Sequence, residues 1–228
     1  MEKLKPEIII FDVDGVLVDV RESYHRTIVD TVRYFTGRRI PRSEIHRWKN
    51  RGGYNDDWKL THALVRSLNH RIPYKTVKAQ FERFYWGEHS DGNVARERWE
   101  LPRAALARLA RRSELALFTG RTHRELDHTL DRFAVRRYFR HMVTVEDVQR
   151  PKPHPDGLLR ILDETDPDRA LYLGDNVDDA LAAKRARVPF LGVLSRGSAV
   201  RRLRVHRLRE LGARAILGTI TELEKHLR

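Results

Sequence analysis

The chain of 228 residues contains no cysteine. Disulfide bonds, cysteine-ligated zinc sites and catalysis by a thiol are therefore excluded. The sequence also lacks an apolar run of the about 18 residues that a membrane-spanning helix needs. It begins Met-Glu-Lys-Leu-Lys-Pro, without the apolar stretch and small-residue cleavage site of a secretory signal peptide. We therefore expect a soluble protein, located in the cytoplasm and not bound to a membrane.

Acidic residues are outnumbered, since 45 Lys and Arg against 32 Asp and Glu give a formal net charge of +13. Such a surplus raises the question of a nucleic-acid partner. The surplus is dispersed, however, and is densest at residues 196–214, which hold seven arginines and one glutamate. Val200, Leu203, Leu208 and Leu211 are spaced to share one side of a helix there, and no aromatic residues interleave with the arginines. A solvated arginine-rich helix is favoured over a nucleic-acid surface.

Short apolar segments alternate with helical patterns outside residues 18–100. The segments predicted as strands are residues 7–11, 115–118, 142–145, 170–173, 190–194 and 215–217. The intervening helices are predicted at residues 102–111, 124–133, 156–163 and 178–186. Apolar strands in alternation with helices are typical of an α/β fold with a doubly wound, mainly parallel, Rossmann-like sheet.

Residues 18–100 interrupt this alternation with helical patterns alone, at residues 22–35, 58–69 and 75–86. No internal repeat and no linker rich in Pro, Gly or Ser separates them from the rest of the chain. The sequence therefore predicts an α/β core domain at residues 1–17 and 101–228, with a helical domain inserted at residues 18–100.

Polar residues with catalytic potential follow four of the predicted strands. In chain order they are Asp12 and Asp14, then Thr119 and Gly120, then Lys152, then Asp175, Asn176 and Asp179. Functional groups in a parallel α/β sheet collect beyond the carboxyl ends of the strands, so we expect these residues to converge. Clustered carboxylates raise one another's pKa unless a cation lies among them, and oxygen ligands select Mg²⁺. A metal, an ammonium, a hydroxyl and the backbone amides around Gly120 are suited to phosphoryl transfer.

These four segments, taken together and in this order, resemble the four motifs of the haloacid dehalogenase (HAD) superfamily. The motifs are D-x-D-G-V at Asp12, a threonine at Thr119, a lysine at Lys152 and G-D-x-x-x-D ending at Asp179. The resemblance covers essentially the whole chain, and its helical insertion is similar to the class-I cap of subfamily IA. It implies a HAD-like core and a Mg²⁺-dependent phosphatase that hydrolyses a small phosphate monoester through an aspartyl phosphate.

The resemblance also implies a role for each matching residue. Asp12 would be the nucleophile, and Asp14 would act as general acid and base. Thr119 and Lys152 would hold the transferring phosphoryl group. Asp12, the main-chain carbonyl of Asp14, and Asp175 would bind Mg²⁺, with Asp179, Gly120 and Asn176 in supporting positions. Dehalogenases and phosphonate-cleaving enzymes lack an acid at the position of Asp14, so this aspartate favours phosphatases and phosphomutases.

The substrate is less well defined by the sequence. The loop at residues 50–58 could contact a leaving group, and we take Arg51, Asn55, Trp58 and Tyr24 as candidate substrate contacts. A purely structural role explains the loop residues equally well and is favoured for Tyr24. The chain is similar to a class-I-cap group related to phosphoglycolate phosphatases or to histidine-biosynthesis genes. We expect a small phosphorylated metabolite as partner and a monomer or homodimer. The alternatives are a phosphomutase acting on a sugar phosphate, or a non-catalytic nucleic-acid-associated or binding protein.

Overall fold

The computed structural model describes residues 4–51, 53–54, 56–194 and 201–227. The strands are β1 (Ile8–Phe11), β2 (Val18–Asp19), β3 (Arg98–Trp99), β4 (Glu114–Phe118), β5 (His141–Val143), β6 (Ala170–Gly174), β7 (Phe190–Val193) and β8 (Ala215–Leu217). The helices are α1 (Tyr24–Thr36), α2 (Arg42–Lys49), α3 (Asp57–Ser67), α4 (Tyr74–Trp86), α5 (Arg103–Ala110), α6 (His123–Phe133), α7 (Asp156–Leu162), α8 (Val177–Ala186) and α9 (Arg201–Glu210). Within these ranges, none of the helices combines the length and the apolarity needed to cross a bilayer.

The chain divides into two units. One, here the α/β unit, contains the described residues up to Val18 and those from Trp99 onward, and the other, the helical unit, is Asp19–Arg98. The helical unit thus begins one residue later and ends two residues earlier than the insertion predicted at residues 18–100.

The α/β unit is built on a parallel sheet whose strands, among the described residues, lie in the order β5-β4-β1-β6-β7-β8. Strand β1 is central, and its residues Ile8, Ile9, Ile10 and Phe11 are all buried. An uninterrupted apolar strand is stable there because helices flank the sheet and exclude water from both faces. The predicted α/β fold with a doubly wound parallel sheet is confirmed.

The strand order also places the polar segments. β1 pairs with β4 on one side and with β6 on the other, so the carboxyl ends of these three strands are adjacent at the middle of the sheet. The chain runs outward from β1 in both directions, which makes this edge the switch point at which α/β proteins bind ligands. Asp12, Thr119 and Asp175 directly follow Phe11, Phe118 and Gly174, the last residues of the three strands.

The helical unit has its own core. Helices α1, α3 and α4 bury Ile28, Leu64 and Phe81, respectively. Tyr24 lies in the same core, with its ring stacked on that of Tyr85 at 4.5 Å. Helix α2 was not predicted from the sequence, because it buries a single residue, Ile45, and so has little apolar periodicity.

One buried carboxylate connects the two ends of the helical unit. Asp19 accepts hydrogen bonds from the Nη2 atoms of Arg21 and Arg98, each at 2.7 Å. Burial raises the pKa of Asp19, but the bonds from these two guanidinium groups outweigh it and hold the pKa well below its usual range. The stabilisation from ionised Asp19 is therefore present above about pH 4, the unfolded value, and is lost as the pH falls below it.

Asp19→Asn is expected to lower the free energy of unfolding at pH 7 by about 1–2 kcal/mol, because both arginines are more than half exposed and water screens the pairs. Urea denaturation measures the loss, which should shrink at pH 3. Asp30→Asn is the matched control. Asp30 meets Arg26 at 3.4 Å in a partly exposed pair, so this substitution should cost less than about 0.5 kcal/mol. Equal losses in the two variants, or a loss independent of pH, would contradict the assignment.

Candidate active site

Lys152 lies at the centre of the candidate site. Its ammonium donates to Asp12 Oδ1 and to Asp179 Oδ1, both at 2.8 Å. Its side chain is only 2% exposed, and Nζ lies 4.7 Å from the ring centroid of Phe118 and 5.6 Å from that of Tyr172. A buried ammonium between two carboxylates and two aromatic faces is held in one position.

The carboxylates around Lys152 outnumber its single ammonium charge. Burial raises the pKa of Asp12 well above its ordinary value; Lys152 opposes the rise, whereas Asp179, Asp14 and Asp175 add to it. Burial alone would lower the pKa of Lys152, but the carboxylates of Asp12 and Asp179 outweigh burial and raise it. The lysine is therefore protonated at neutral pH, and one cation is shared between two buried acids.

Asp179 is fixed by three donors. Its Oδ1 accepts from the Tyr172 hydroxyl at 2.7 Å as well as from Lys152, and its Oδ2 accepts from the backbone N–H of Asn176 at 3.0 Å. Asn176 caps helix α8, and Asp179 completes the capping box. Because both carboxylate oxygens are engaged, Asp179 is placed to orient Lys152.

The turn after β1 brings Asp175 close to the main chain. Gly15 has a φ of +78°, and its N–H donates to the carbonyl of Val18 at 2.9 Å. A Cβ atom at residue 15 would lie 2.5 Å from Asp175 Oδ2. Glycine is therefore required twice, for the left-handed backbone and for the close approach of this carboxylate.

Asp175 also contacts the arginine-rich helix α9. Arg204 Nη2 donates to Asp175 Oδ2 at 3.0 Å and to the carbonyl oxygen of the same residue. The predicted apolar side of this helix is partly wrong, since Leu203 is 62% exposed and Leu208 is buried. Val200 lies outside the described residues. Arg204 faces inward with Leu208 because the helix ladder places residues four apart on one side.

Thr119 and Arg121 occupy the end of β4. Thr119 is buried, and its Oγ1 accepts from the backbone N–H of Arg121 at 3.2 Å. Gly120, between them, is exposed. The Arg121 guanidinium reaches Asp14 and donates to Oδ1 from Nε at 2.9 Å and from Nη2 at 2.6 Å. The turns after β1 and β4 are thus joined by a pair of charged side chains.

The donor set fits a hard divalent cation. Asp12, Asp175 and Asp179 each present a carboxylate oxygen, and these oxygens lie within 4.8 Å of one another. Since Asp179 already accepts three hydrogen bonds, Asp12 and Asp175 are the better placed ligands. Mg²⁺ prefers one or two carboxylates together with water and phosphate oxygens, and its charge would offset the repulsion that adds to the effect of burial on the pKa of Asp12.

The candidate substrate residues lie in the helical unit. Tyr24 is buried in its core, whereas Arg51 is exposed, with its guanidinium 5.1 Å from the ring centroid of Trp48. Lys78 Nζ lies 3.9 Å from the ring centroid of Trp58, whose buried Nε1 has no hydrogen-bond partner in the part of the chain that the structure describes. Asn55 lies outside the described residues.

Three residues that the sequence analysis did not single out take part in the site: Arg121, Tyr172 and Arg204. Arg121 had a signal, because it directly follows Thr119-Gly120 at a strand end. Tyr172 is a polar side chain in the otherwise apolar segment Ala170–Gly174. Arg204 had none, since it is one arginine among many in its tract.

Known proteins resemble the chain over most of its length. An imidazoleglycerol-phosphate dehydratase from Phytophthora nicotianae is 32% identical over 198 residues, which cover 83% of this chain and 43% of that protein, so the chain spans less than half of this relative. Phosphoglycolate phosphatase 1 from Pseudomonas aeruginosa is 29% identical over 187 residues, covering 80% of this chain and 67% of that protein.

A solved structure agrees with the fold. Phosphatase Tt82 from Thermococcus thioreducens superposes with a TM-score of 0.67 at 24% identity, covering 89% of this chain and 99% of the other. The family model described as haloacid dehalogenase-like hydrolase matches residues 9–193, well over half of the sequence. The resemblance inferred from the four motifs, and with it the prediction of an enzyme, is confirmed: the chain belongs to the haloacid dehalogenase-like hydrolase family.

Proposed function

We propose that the chain is a Mg²⁺-dependent phosphatase that hydrolyses a small phosphate monoester through an aspartyl phosphate on Asp12. The observation that carries this proposal is the buried pair of Asp12 and Lys152, joined at 2.8 Å at the switch point of the sheet. Asp14 follows two residues later at the same edge, where it can serve a leaving group. A nucleophile, a cation and an acid at one edge are the groups that transfer of a phosphoryl group requires.

The reaction would have two steps. In the first, a carboxylate oxygen of Asp12 bonds to phosphorus, and the bond from phosphorus to the ester oxygen breaks. That oxygen keeps the electron pair and takes a proton from Asp14. In the second, water bonds to phosphorus, Asp14 takes the water proton, and the bond from phosphorus to Asp12 breaks. Lys152 and the Thr119 hydroxyl would bind the phosphoryl oxygens throughout.

Asp12, the main-chain carbonyl of Asp14, and Asp175 would hold Mg²⁺, which when bound supplies positive charge to the phosphoryl oxygens. The role of Asp179 in this proposal is to orient Lys152, through the bond between their side chains. Gly120 would offer its backbone N–H to a phosphoryl oxygen. Asn176 would support the site through the cap of helix α8.

The helical unit would act as the cap that recognises the leaving group. The candidate contacts are Arg51, Trp58, Tyr24 and Asn55. Because a phosphoglycolate phosphatase is among the relatives, 2-phosphoglycolate belongs among the first substrates to test. Nucleic acid is not the proposed partner, since several arginines are engaged within the chain: Arg108 with Glu224, Arg136 with Asp127 and Asp131, and Arg204 with Asp175.

The purified protein is expected to hydrolyse p-nitrophenyl phosphate in the presence of Mg²⁺. In EDTA this activity should fall by about 100-fold or more, because the clustered carboxylates would then repel the phosphate. Released p-nitrophenolate is measured by absorbance, with activity restored by added Mg²⁺. Turnover that EDTA leaves unchanged would contradict the proposed metal. No turnover of any phosphomonoester, together with salt-dependent retention on DNA, would contradict the proposed phosphatase. A requirement for a sugar bisphosphate activator would instead identify a phosphomutase.

A further inference from the structure

Among the described residues, one side chain holds that of Asp14, namely Arg121. Two nitrogens of its guanidinium donate to the same carboxylate oxygen, Oδ1, at 2.9 and 2.6 Å. No described residue donates to Oδ2, and the Asp14 side chain is 28% exposed. The two oxygens of Asp14 therefore differ: one is fixed from within the α/β unit, and the other is available to a ligand.

Arg121 is anchored well enough to impose this orientation. Its side chain is 0% exposed, and its Nη1 donates to Thr129 Oγ1 on helix α6. Its backbone N–H donates to Thr119 Oγ1, and its carbonyl accepts from the N–H of Val145 at 3.1 Å. A guanidinium stays charged and its planar fork fixes geometry, so the position of Oδ1 is set by the fold.

We propose that Arg121 is the positioning residue of Asp14: it directs Oδ2 toward the leaving oxygen, so that proton transfer depends on the bond between Arg121 and Asp14. This inference rests on the proposed function. During transfer of the phosphoryl group to Asp12, Oδ2 gives its proton to the departing ester oxygen, which keeps the electron pair of the broken bond. When water attacks, Oδ2 takes the water proton, and the starting state returns.

The leaving group provides a direct test. p-Nitrophenolate departs without a proton, whereas an alkoxide needs one, and general acid catalysis contributes roughly 10²–10⁴-fold where it operates. In Arg121→Met, kcat/KM for glycerol phosphate is expected to fall by about 100-fold or more. For p-nitrophenyl phosphate it should fall by less than about tenfold. kcat/KM is the appropriate measure because it includes the departure of the leaving group.

Two further variants separate positioning from packing. Thr129→Val removes a second partner of the Arg121 guanidinium, the Thr129 hydroxyl, and should lower thermal stability with an unchanged ratio between the two substrates. Arg121→Lys keeps the positive charge but lacks the planar guanidinium, so it should give an intermediate ratio between the two substrates. If circular dichroism shows that Arg121→Met does not fold, Arg121→Lys is the variant that tests the positioning role. In an Asp14→Asn background, Arg121→Met should change the ratio no further.

Equal losses on both substrates, in whichever Arg121 variant folds, would overturn the positioning role. So would an additional change of the ratio in the Asp14→Asn background. If the wild-type protein hydrolyses neither substrate, the proposed phosphatase function is contradicted. If the wild type hydrolyses both and an Arg121 variant loses the same factor on each, only the positioning role of Arg121 is contradicted.

Discussion

Asp12→Asn is expected to abolish turnover, with kcat falling by roughly 10⁴-fold or more, because an amide cannot form the acyl phosphate. The activity is measured on p-nitrophenyl phosphate with Mg²⁺. Rapid acid quenching of wild type during turnover should trap a phosphoryl group on the peptide that contains Asp12, detected by mass spectrometry. The variant should show no such adduct.

Asp127→Asn is the matched control for this experiment. Asp127 lies in the same unit, has a 53% exposed side chain and pairs with Arg136 outside the site, so its variant should retain wild-type kcat within about twofold. Substantial turnover in Asp12→Asn, or a phosphoryl group trapped on another residue, would contradict the assignment of Asp12 as nucleophile.

The same variant should not be destabilised. The pKa of Asp12 is raised in the folded protein, so its contribution to stability is present below about pH 4 and is lost as the pH rises through the folded pKa. At neutral pH and without metal, the buried carboxyl group of Asp12 therefore weakens the fold, because its charged form is less favourable in the folded protein than in the unfolded chain. We expect Asp12→Asn to melt about 2–4 °C higher in EDTA, which corresponds to about 1 kcal/mol in a chain of this size. A lower melting temperature would contradict the electrostatic argument.

Local sequence pattern was sufficient for the sheet and for the acids at its edge. Ile8–Phe11 is a short, β-branched apolar run typical of a strand buried on both faces, and the residues that follow parallel strands share one edge of the sheet. The sequence alone therefore predicts that Asp12, Thr119 and Asp175 lie together. Helix α2 could not be predicted, because its eight residues bury only Ile45 and therefore show no apolar periodicity.

The partners of the site residues depend on distances that no sequence spacing contains. Arg121 meets Asp14 across 107 positions, and Lys152 meets Asp12 across 140. The sequence does not distinguish Arg204 from the solvated arginines of its tract. The burial of Leu208 sets the rotation of helix α9 about its axis, and this rotation brings Arg204 to Asp175. The composition gives the number of charged residues, whereas burial determines which of them become part of a site.

Lys152→Met is expected to be the most destabilising substitution in the site. It leaves the buried carboxylates of Asp12 and Asp179 without the ammonium that each of them contacts at 2.8 Å, and removing one partner of a buried pair costs about 3–5 kcal/mol. A loss of this size lowers the melting temperature by about 10 °C. Because the remaining carboxylates bind a proton more readily, the deficit relative to wild type should be larger at pH 8 than at pH 5.

Phosphatase activity should also fall in Lys152→Met, since Lys152 would bind the transferring phosphoryl group. The loss of such a donor typically lowers kcat by about 10²–10³-fold. Lys152→Met/Asp179→Asn separates the two effects. Removing one of the two unpaired carboxylates should recover part of the melting temperature, whereas the phosphoryl group still lacks its ammonium, so turnover should not return. If the single variant keeps its stability, the carboxylates do not depend on Lys152 for charge compensation. If the double variant regains turnover, Lys152 serves the fold alone and takes no part in phosphoryl transfer.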